Sequence, residues 1–219
     1  MGEQNQIENE DYADIIDWEV LYQNSEKFKK SKPFKHGFVK GIFKKEFYDK
    51  LYKSFPKEDN SWFVNNDYRR TARTKHFLGY QEKPKAAKEL SPEWNKLQVY
   101  ITTKEFSDNF SKYTGIKLKG PHEAGFFANK KNDFQLPHID VDGEYINTIQ
   151  LLFYFSKGWE KGEPGGTYLA KTDDEETIFF EPYDLDNTMI CFVEGKRSWH
   201  GTRYIVKDVV RQALSVSLM

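Results

Sequence analysis

The sequence predicts an α+β protein, with a helical N-terminal half packed against a C-terminal β-sandwich or barrel. Three observations predict it. After Gly115 short apolar runs alternate with Gly, Asp, Asn and Pro punctuation, at 122–129, 136–141, 146–156, 166–170, 177–182, 188–194, 198–204 and 209–218. Before Gly115 charged and apolar residues interleave as they do on amphipathic elements. Aromatic residues make up 16% of the 219 residues, with 18 Phe and 13 Tyr, and such rings suit an ordered, sheet-rich core.

Taken in order, residues 1–17 carry six acids and neither Lys nor Arg, which marks 1–25 as an acidic, partly mobile segment ahead of one domain over 26–219. Lysines dominate from Lys27 to Lys53, but Phe34, Phe38, Val39, Ile42, Phe43, Phe47, Leu51 and Phe55 interleave with them, so a solvated face is preferred to a phosphate patch. Within this stretch Pro33 to Phe43 reads as extended and Lys44 to Ser54 as a helix stopped before Pro56. Ser91-Pro92-Glu93 opens the next helix, with Ser at the cap and Pro in the first turn. Helical text then runs with a break to Gly115, and the β-core follows from about residue 120.

Composition removes several classes. A net charge of −1 argues against a generally cationic nucleic-acid binder. No apolar run approaches a membrane span, and the N-terminus has neither the basic end nor the apolar centre of a signal peptide. The single cysteine, Cys191, permits no internal disulfide and reads as a small buried hydrophobe; a reducing, cytoplasmic setting is expected.

Two strands are informative. In 146–156 one face reads Ile149, Leu151, Phe153, Phe155 and the other Thr148, Gln150, Leu152, Tyr154, Ser156. The last strand repeats this, with Leu214, Val216 and Leu218 against Arg211, Ala213, Ser215 and Ser217. Arg211 flanked by small residues looks like a cation at the foot of a hollow; a water-facing side of a one-sided sheet is the alternative. His138 and Asp140, two apart on extended chain, point to one side, and His200 follows in strand-like text. Two imidazoles and a carboxylate form the facial triad of non-haem iron(II), which leaves positions open for a co-substrate and oxygen. A fixed cation beyond such a metal suits a dicarboxylate that chelates at one end and pairs with Arg at the other.

The chain here resembles the iron(II)- and 2-oxoglutarate-dependent dioxygenases, in their prolyl 4-hydroxylase-like branch. The resemblance rests on His138-Ile139-Asp140, on Leu152 to Trp159, and on Gly165-Gly166-Thr167, Trp199-His200-Gly201 and Arg211. It implies a double-stranded β-helix, or jelly roll, over about 120–219 with helices buttressing one sheet. By that likeness His138, Asp140 and His200 hold Fe(2+), Arg211 and Tyr154 meet the distal carboxylate of 2-oxoglutarate, and Ser215 is a nearby donor. O2 is then the oxidant, with ascorbate as an accessory reductant. Where related enzymes place a tyrosine before the H-x-D, Phe126 and Phe127 stand here.

Arg69, Arg70 and Arg73 gather in a stretch that reads as a loop; a surface salt-bridging loop is the preferred reading, and an arginine clamp for an acidic substrate, on the mobile cover that the likeness implies, is the other, with Arg70, Arg73 and Trp199 as the candidate substrate contacts. His36, His76 and His122 are isolated, and Asp142 before Gly143 reads as a turn residue. The implied reaction is hydroxylation of an unactivated C–H bond, most readily of a prolyl residue in a peptide or protein, with a free amino acid or other small metabolite as the alternative. A non-catalytic metal-binding β-sandwich is the competitor from another class. No membrane partner is expected, and nucleic acid is disfavoured.

Overall fold

The computed structural model describes residues 11–140 and 148–219. Short helices α1 (Trp18–Gln23) and α2 (Ser25–Lys30) lead to strand β1 (His36–Lys40) and helix α3 (Lys45–Lys53). A hairpin of β2 (Phe63–Asn66) and β3 (Arg70–Leu78) precedes helices α4 (Pro92–Ile101) and α5 (Lys104–Thr114). The capping chemistry follows the sequence. The hydroxyls of Ser91 and Thr103 accept from the N–H of Trp94 and Phe106, and Gly115 ends α5 at φ 75°, a left-handed position that glycine adopts without steric cost.

The remaining strands are β4 (Pro121–Asn129), β5 (Phe134–His138), β6 (Ile149–Phe155), β7 (Thr167–Ala170), β8 (Ile178–Phe180), β9 (Asp186–Val193), β10 (His200–Thr202) and β11 (Arg211–Leu218). They pair in the order β1-β9-β6-β11-β4-β3-β5-β10-β7-β8, with β2 on β3 and each of these pairings antiparallel. The sheet turns over at β3, which pairs with β4 along Thr74–Leu78 and with β5 at Arg70 and Thr71. The β5-β10-β7-β8 layer thereby comes to face β9-β6-β11-β4, the arrangement of a double-stranded β-helix.

Alternation divides the core in two. Outward residues Ile149, Leu151, Phe153, Phe155, Leu214, Val216 and Leu218 join the helical side chains Phe28, Phe47, Leu51, Trp94, Tyr100, Phe106 and Phe110 in one apolar cluster. Inward residues Leu152, Tyr154, Leu169, Ile190, Phe192 and Ala213 form a second, smaller one between the layers. Phe126 centres the outer cluster, with ring contacts to Phe55, Phe77 and Trp94 at 5.4, 4.8 and 4.8 Å.

Two expectations need correcting. The acidic segment expected over 1–25 is packed from Tyr12 onward: Ile15, Ile16 and Leu21 are buried, Tyr12 stacks on Tyr100 at 4.6 Å, and Asp14 pairs with Lys96 at 2.8 Å. The few apolar residues there suffice because they fall on the helical layer, and the folded unit starts well before residue 26. Residues 1–10 lie outside the described residues. The stretch around Arg69–Arg73, expected as a loop, instead runs into the start of β3, where it pairs with β2 and β5, although Arg73 does make the salt bridges of the preferred reading. Its strand character was hidden because much of it is polar and little of it is buried. Among the described residues no helix is long and apolar enough to cross a membrane.

Truncating the centre of the aromatic layer measures how far the fold depends on it. Phe126→Ala should destabilise the protein by about 3–5 kcal/mol, the usual range for emptying a buried Phe position. Chemical denaturation followed by far-UV circular dichroism reads this directly, and an unchanged midpoint would contradict the packing described.

Candidate metal and dicarboxylate site

A cavity of about 750 Å³ opens between the two layers. His138 at the end of β5 and His200 at the start of β10 are register partners across that strand pair, so hydrogen bonding between strands far apart in sequence sets them side by side. Gly201 makes this close fit feasible: a Cβ there would lie 2.4 Å from both the Gln135 carbonyl oxygen and the Tyr168 hydroxyl.

The imidazole rings of His138 and His200 are 4.3 Å apart. Asp140 meets both, with Oδ1 3.4 Å from His138 Nε2 and Oδ2 3.3 Å from His200 Nε2. One ligand atom from each residue lies within 4.8 Å of the others, and no other such grouping of His, Cys, Asp and Glu occurs among the described residues. Each histidine also places Nδ1 2.9 Å from the carbonyl two residues before it, Leu136 or Ser198. That contact favours the Nδ1–H tautomer and leaves the Nε2 lone pair facing the gap, as a metal ligand requires. Phe192 packs against His200 at 4.8 Å and helps to bury it.

Charge within the triad is unevenly held. Burial would raise Asp140, but the hydrogen bond and charge of His200, then His138 and Arg70, bring its carboxyl down to about 2. Burial would lower His200, yet its contact with Asp140 outweighs that and leaves it raised. His138 is lowered, first by burial and then by the neighbouring His200. Glu194, just beyond β9, rises to about 7 through burial and then repulsion from Asp140.

Deeper in the cavity Arg211 is 1% exposed. Its Nη2 donates to Thr167 Oγ1 at 2.9 Å and its guanidinium carbon lies 5.1 Å from the Tyr154 ring centre. Nε has no hydrogen-bond partner, and no carboxylate among the described residues pairs with this cation. Asn129, its register partner on β4, is fully buried with both amide atoms unpartnered. A buried cation and a buried amide left unsatisfied together mark a place built for a polar ligand.

The other expected residues divide. Ser215 lines the cavity and accepts from Gln150 Nε2. Tyr154 is fully buried behind Arg211, its hydroxyl accepting from the Thr167 N–H at 2.9 Å, and is not among the lining residues. Arg70 stands at the mouth, half exposed. Arg73 and Trp199 do not line the cavity. Arg73 has the opposite strand parity to Arg70 and meets Asp133 at 3.2 Å and Glu58 at 3.3 Å, while Trp199 has the opposite parity to His200. Phe127 lines the cavity whereas Phe126 points into the aromatic core. Asp142 lies outside the described residues.

Sequence reasoning missed Glu194, whereas Thr148 and Ser217, read there on the polar strand faces, do line the cavity. The signal was present: Glu194 continues the inward parity of Ile190 and Phe192, where a charged residue is out of place unless it serves a cavity.

In the metal-free protein, ring-nitrogen NMR should show His200 titrating above 6.5 and His138 below it, the ordinary histidine value separating them. Asp140→Asn should lower His200. Both rings titrating together in the wild type would contradict the arrangement.

No family model matches the sequence, and no curated protein matches it. Solved structures do. A Pseudomonas putida prolyl-4-hydroxylase aligns with TM-score 0.64 at 10% identity, over 92% of this chain and 98% of that one. A prolyl hydroxylase from Trichoplax adhaerens, in complex with a hypoxia-inducible-factor peptide fragment, gives 0.60 at 11% identity, over 92% and 88%. The viral collagen prolyl hydroxylase of Paramecium bursaria Chlorella virus-1, in complex with 2-oxoglutarate, gives 0.53 at 14%, over 84% and 95%. At such identities the likeness is one of fold, and the chain has the double-stranded β-helix of the prolyl-4-hydroxylase and other 2OG-Fe(II) oxygenase structures.

Proposed function

We propose that this protein is an Fe(II)- and 2-oxoglutarate-dependent dioxygenase that hydroxylates an unactivated C–H bond, with a prolyl residue of a peptide or protein as the leading substrate. The observation that carries the reading is the pairing of a His-Asp-His cluster with an unpaired, buried arginine in one cavity. The donor set fits the metal: two neutral imidazole nitrogens and one carboxylate suit iron(II) and leave coordination positions free. Arg211 fits the co-substrate, because a buried guanidinium lacking an internal anion favours a ligand carboxylate. A purely structural metal site has no use for such a cation, which speaks against the non-catalytic alternative.

Bound there, iron would supply oxygen activation, with two electrons from 2-oxoglutarate as it goes to succinate and CO2 and two from the substrate C–H bond, so that one oxygen atom goes to succinate and the other becomes the hydroxyl. The chain's own residues do the positioning. His138, Asp140 and His200 hold the metal, and the carbonyls of Leu136 and Ser198 hold the two rings in orientation. Arg211 takes the distal carboxylate, with Thr167 and the Tyr154 ring fixing the guanidinium and Ser215 offering a hydroxyl along the wall. Leu152 and Phe127 exclude water between the two ends. Arg70 at the mouth is placed to meet the substrate. The fold likeness to a peptide-bound prolyl hydroxylase supports a peptide substrate.

Succinate formation from 2-oxoglutarate under iron and air, across panels of peptides and metabolites, tests the reaction. His138→Ala should abolish it while leaving the protein folded; wild-type turnover persisting with metal content near zero would overturn the assignment. Arg211→Ala should weaken 2-oxoglutarate binding by about 2–5 kcal/mol, the cost of losing one partner of a buried charge pair. Tyr154→Phe keeps the ring against the guanidinium and removes only the hydroxyl that accepts from the Thr167 N–H, so it should weaken 2-oxoglutarate binding by no more than about 1 kcal/mol. Titration showing the tyrosine change to be the worse of the two would mean that the dicarboxylate lies otherwise.

A further inference from the structure

Beyond the triad the cavity carries a second polar wall that the proposed reaction does not use. Glu194 follows β9, and its N–H donates to the Thr148 carbonyl at 2.9 Å, which sets the two residues side by side at the cavity edge. Ser217 lies on the neighbouring β11, one register step inward from the Leu218–Ile149 pair. Thr148 and Ser217 are only 2% and 5% exposed, both line the cavity, and among the described residues neither hydroxyl has a hydrogen-bond partner.

Charge at the mouth is unbalanced in one direction. Three of the bases that line it have acidic neighbours: Lys75 with Asp59 at 3.6 Å, Arg70 with Asp67 at 3.9 Å and His76 with Glu82 at 2.8 Å. Glu194 and Glu123 also line the cavity, and among the described residues neither has an ion-pair partner. The segment 141–147, which adjoins this wall in sequence, contains no Lys, Arg or His to supply one. Glu194 is not part of the His138-Asp140-His200 grouping, so its carboxylate is not placed as a further metal ligand.

Resting on the oxygenase reading above, we infer that Glu194, with the hydroxyls of Thr148 and Ser217, receives a protonated amine of the prime substrate and so positions it beside the metal. A half-buried carboxylate and two acceptor hydroxyls offer three oxygen atoms or more to one ammonium group, which has three donors and no acceptor. Arg211 at the deep end and Glu194 near the mouth then sort the two ligands by charge: the dicarboxylate is drawn past the triad and the amine is held in front of it. The amine belongs either to a free amino acid or to a lysyl side chain of a peptide. The chemistry of recognition is shared.

The test uses the full chain loaded with Mn(II) and 2-oxoglutarate, which is stable in air, and isothermal titration with matched pairs of compounds. The pairs are L-lysine and its Nε-acetyl form, L-proline and N-acetylproline, and an end-capped lysyl peptide with its acetyl-lysyl counterpart. At least one amine should bind about tenfold or more tightly than its acetylated partner, in which that nitrogen carries no charge, as a charge-assisted contact implies. Glu194→Gln should abolish that preference, and Ser217→Ala should reduce it. Which pair responds identifies a free amino acid or a peptide side chain as the source. If no amine is preferred over its acetylated partner, or if Glu194→Gln keeps the preference, the inference is overturned. Titration of Mn(II) and 2-oxoglutarate into each variant reports separately: wild-type protein failing to bind them would overturn the oxygenase reading, whereas Ser217→Ala should bind them as the wild type does and Glu194→Gln should still bind both.

Discussion

Leu214, Val216 and Leu218 lie in register with Phe153, Leu151 and Ile149, and together they form the sheet surface that the helices cover. Burial of each such side chain stabilises by roughly 1.5–3 kcal/mol, so this face sets the register of β11 on β6. A slip of one residue would drive Arg211 into the aromatic layer and Leu214 into the cavity. Because the outer face cannot slip, every inner residue has a fixed depth. Arg211, Ser215 and Ser217 stand at successive places along one inner face of β11.

That fixed depth turns strand alternation into an electrostatic gradient. Among the described residues Arg211 at one end of β11 is a buried cation without an anion, and Glu194 and Glu123 towards the Ser217 end are carboxylates without an ion-pair partner. In a cavity screened from bulk water such charges act more strongly than they would on the surface. The triad lies between the two ends. Its histidines are oriented by their own backbone, through the carbonyl two residues earlier, so the ring poses follow from extended chain and need no distant support. The cost falls on β10, where Gly201 is needed to let the strand sit against Gln135 and Tyr168.

Much of this was legible in the chain. The H-x-D spacing, the inward Arg211 and the two-faced strands all follow from period-two geometry, and the capped helix at Ser91 follows from local chemistry. Cys191 sits buried in β9 with its thiol pushed up by burial, as its apolar neighbours imply. What was misread has a common cause. Residues 70–78 are polar and weakly alternating, and they form a strand because β4 and β5 offer them backbone partners. The segment from Tyr12 to Gln23 fell within a stretch read as acidic and partly mobile, and it packs because a few rings and aliphatic side chains meet α4 and α5.

By itself the sequence determined which faces are apolar, which residues have ligand chemistry and where the helices begin and end, since each of these depends on neighbours a few positions apart. Tertiary structure alone decided that His138 and His200 are register partners, that β3 joins the two layers, and that Glu194 opens onto the same cavity as Arg211. Those outcomes depend on pairing between segments tens of residues apart, where closing the loop costs entropy and only the buried surfaces that meet can offset it. No local pattern encodes that meeting. It is settled when the helices cover one face of the sheet and leave the other to curl around a polar hollow.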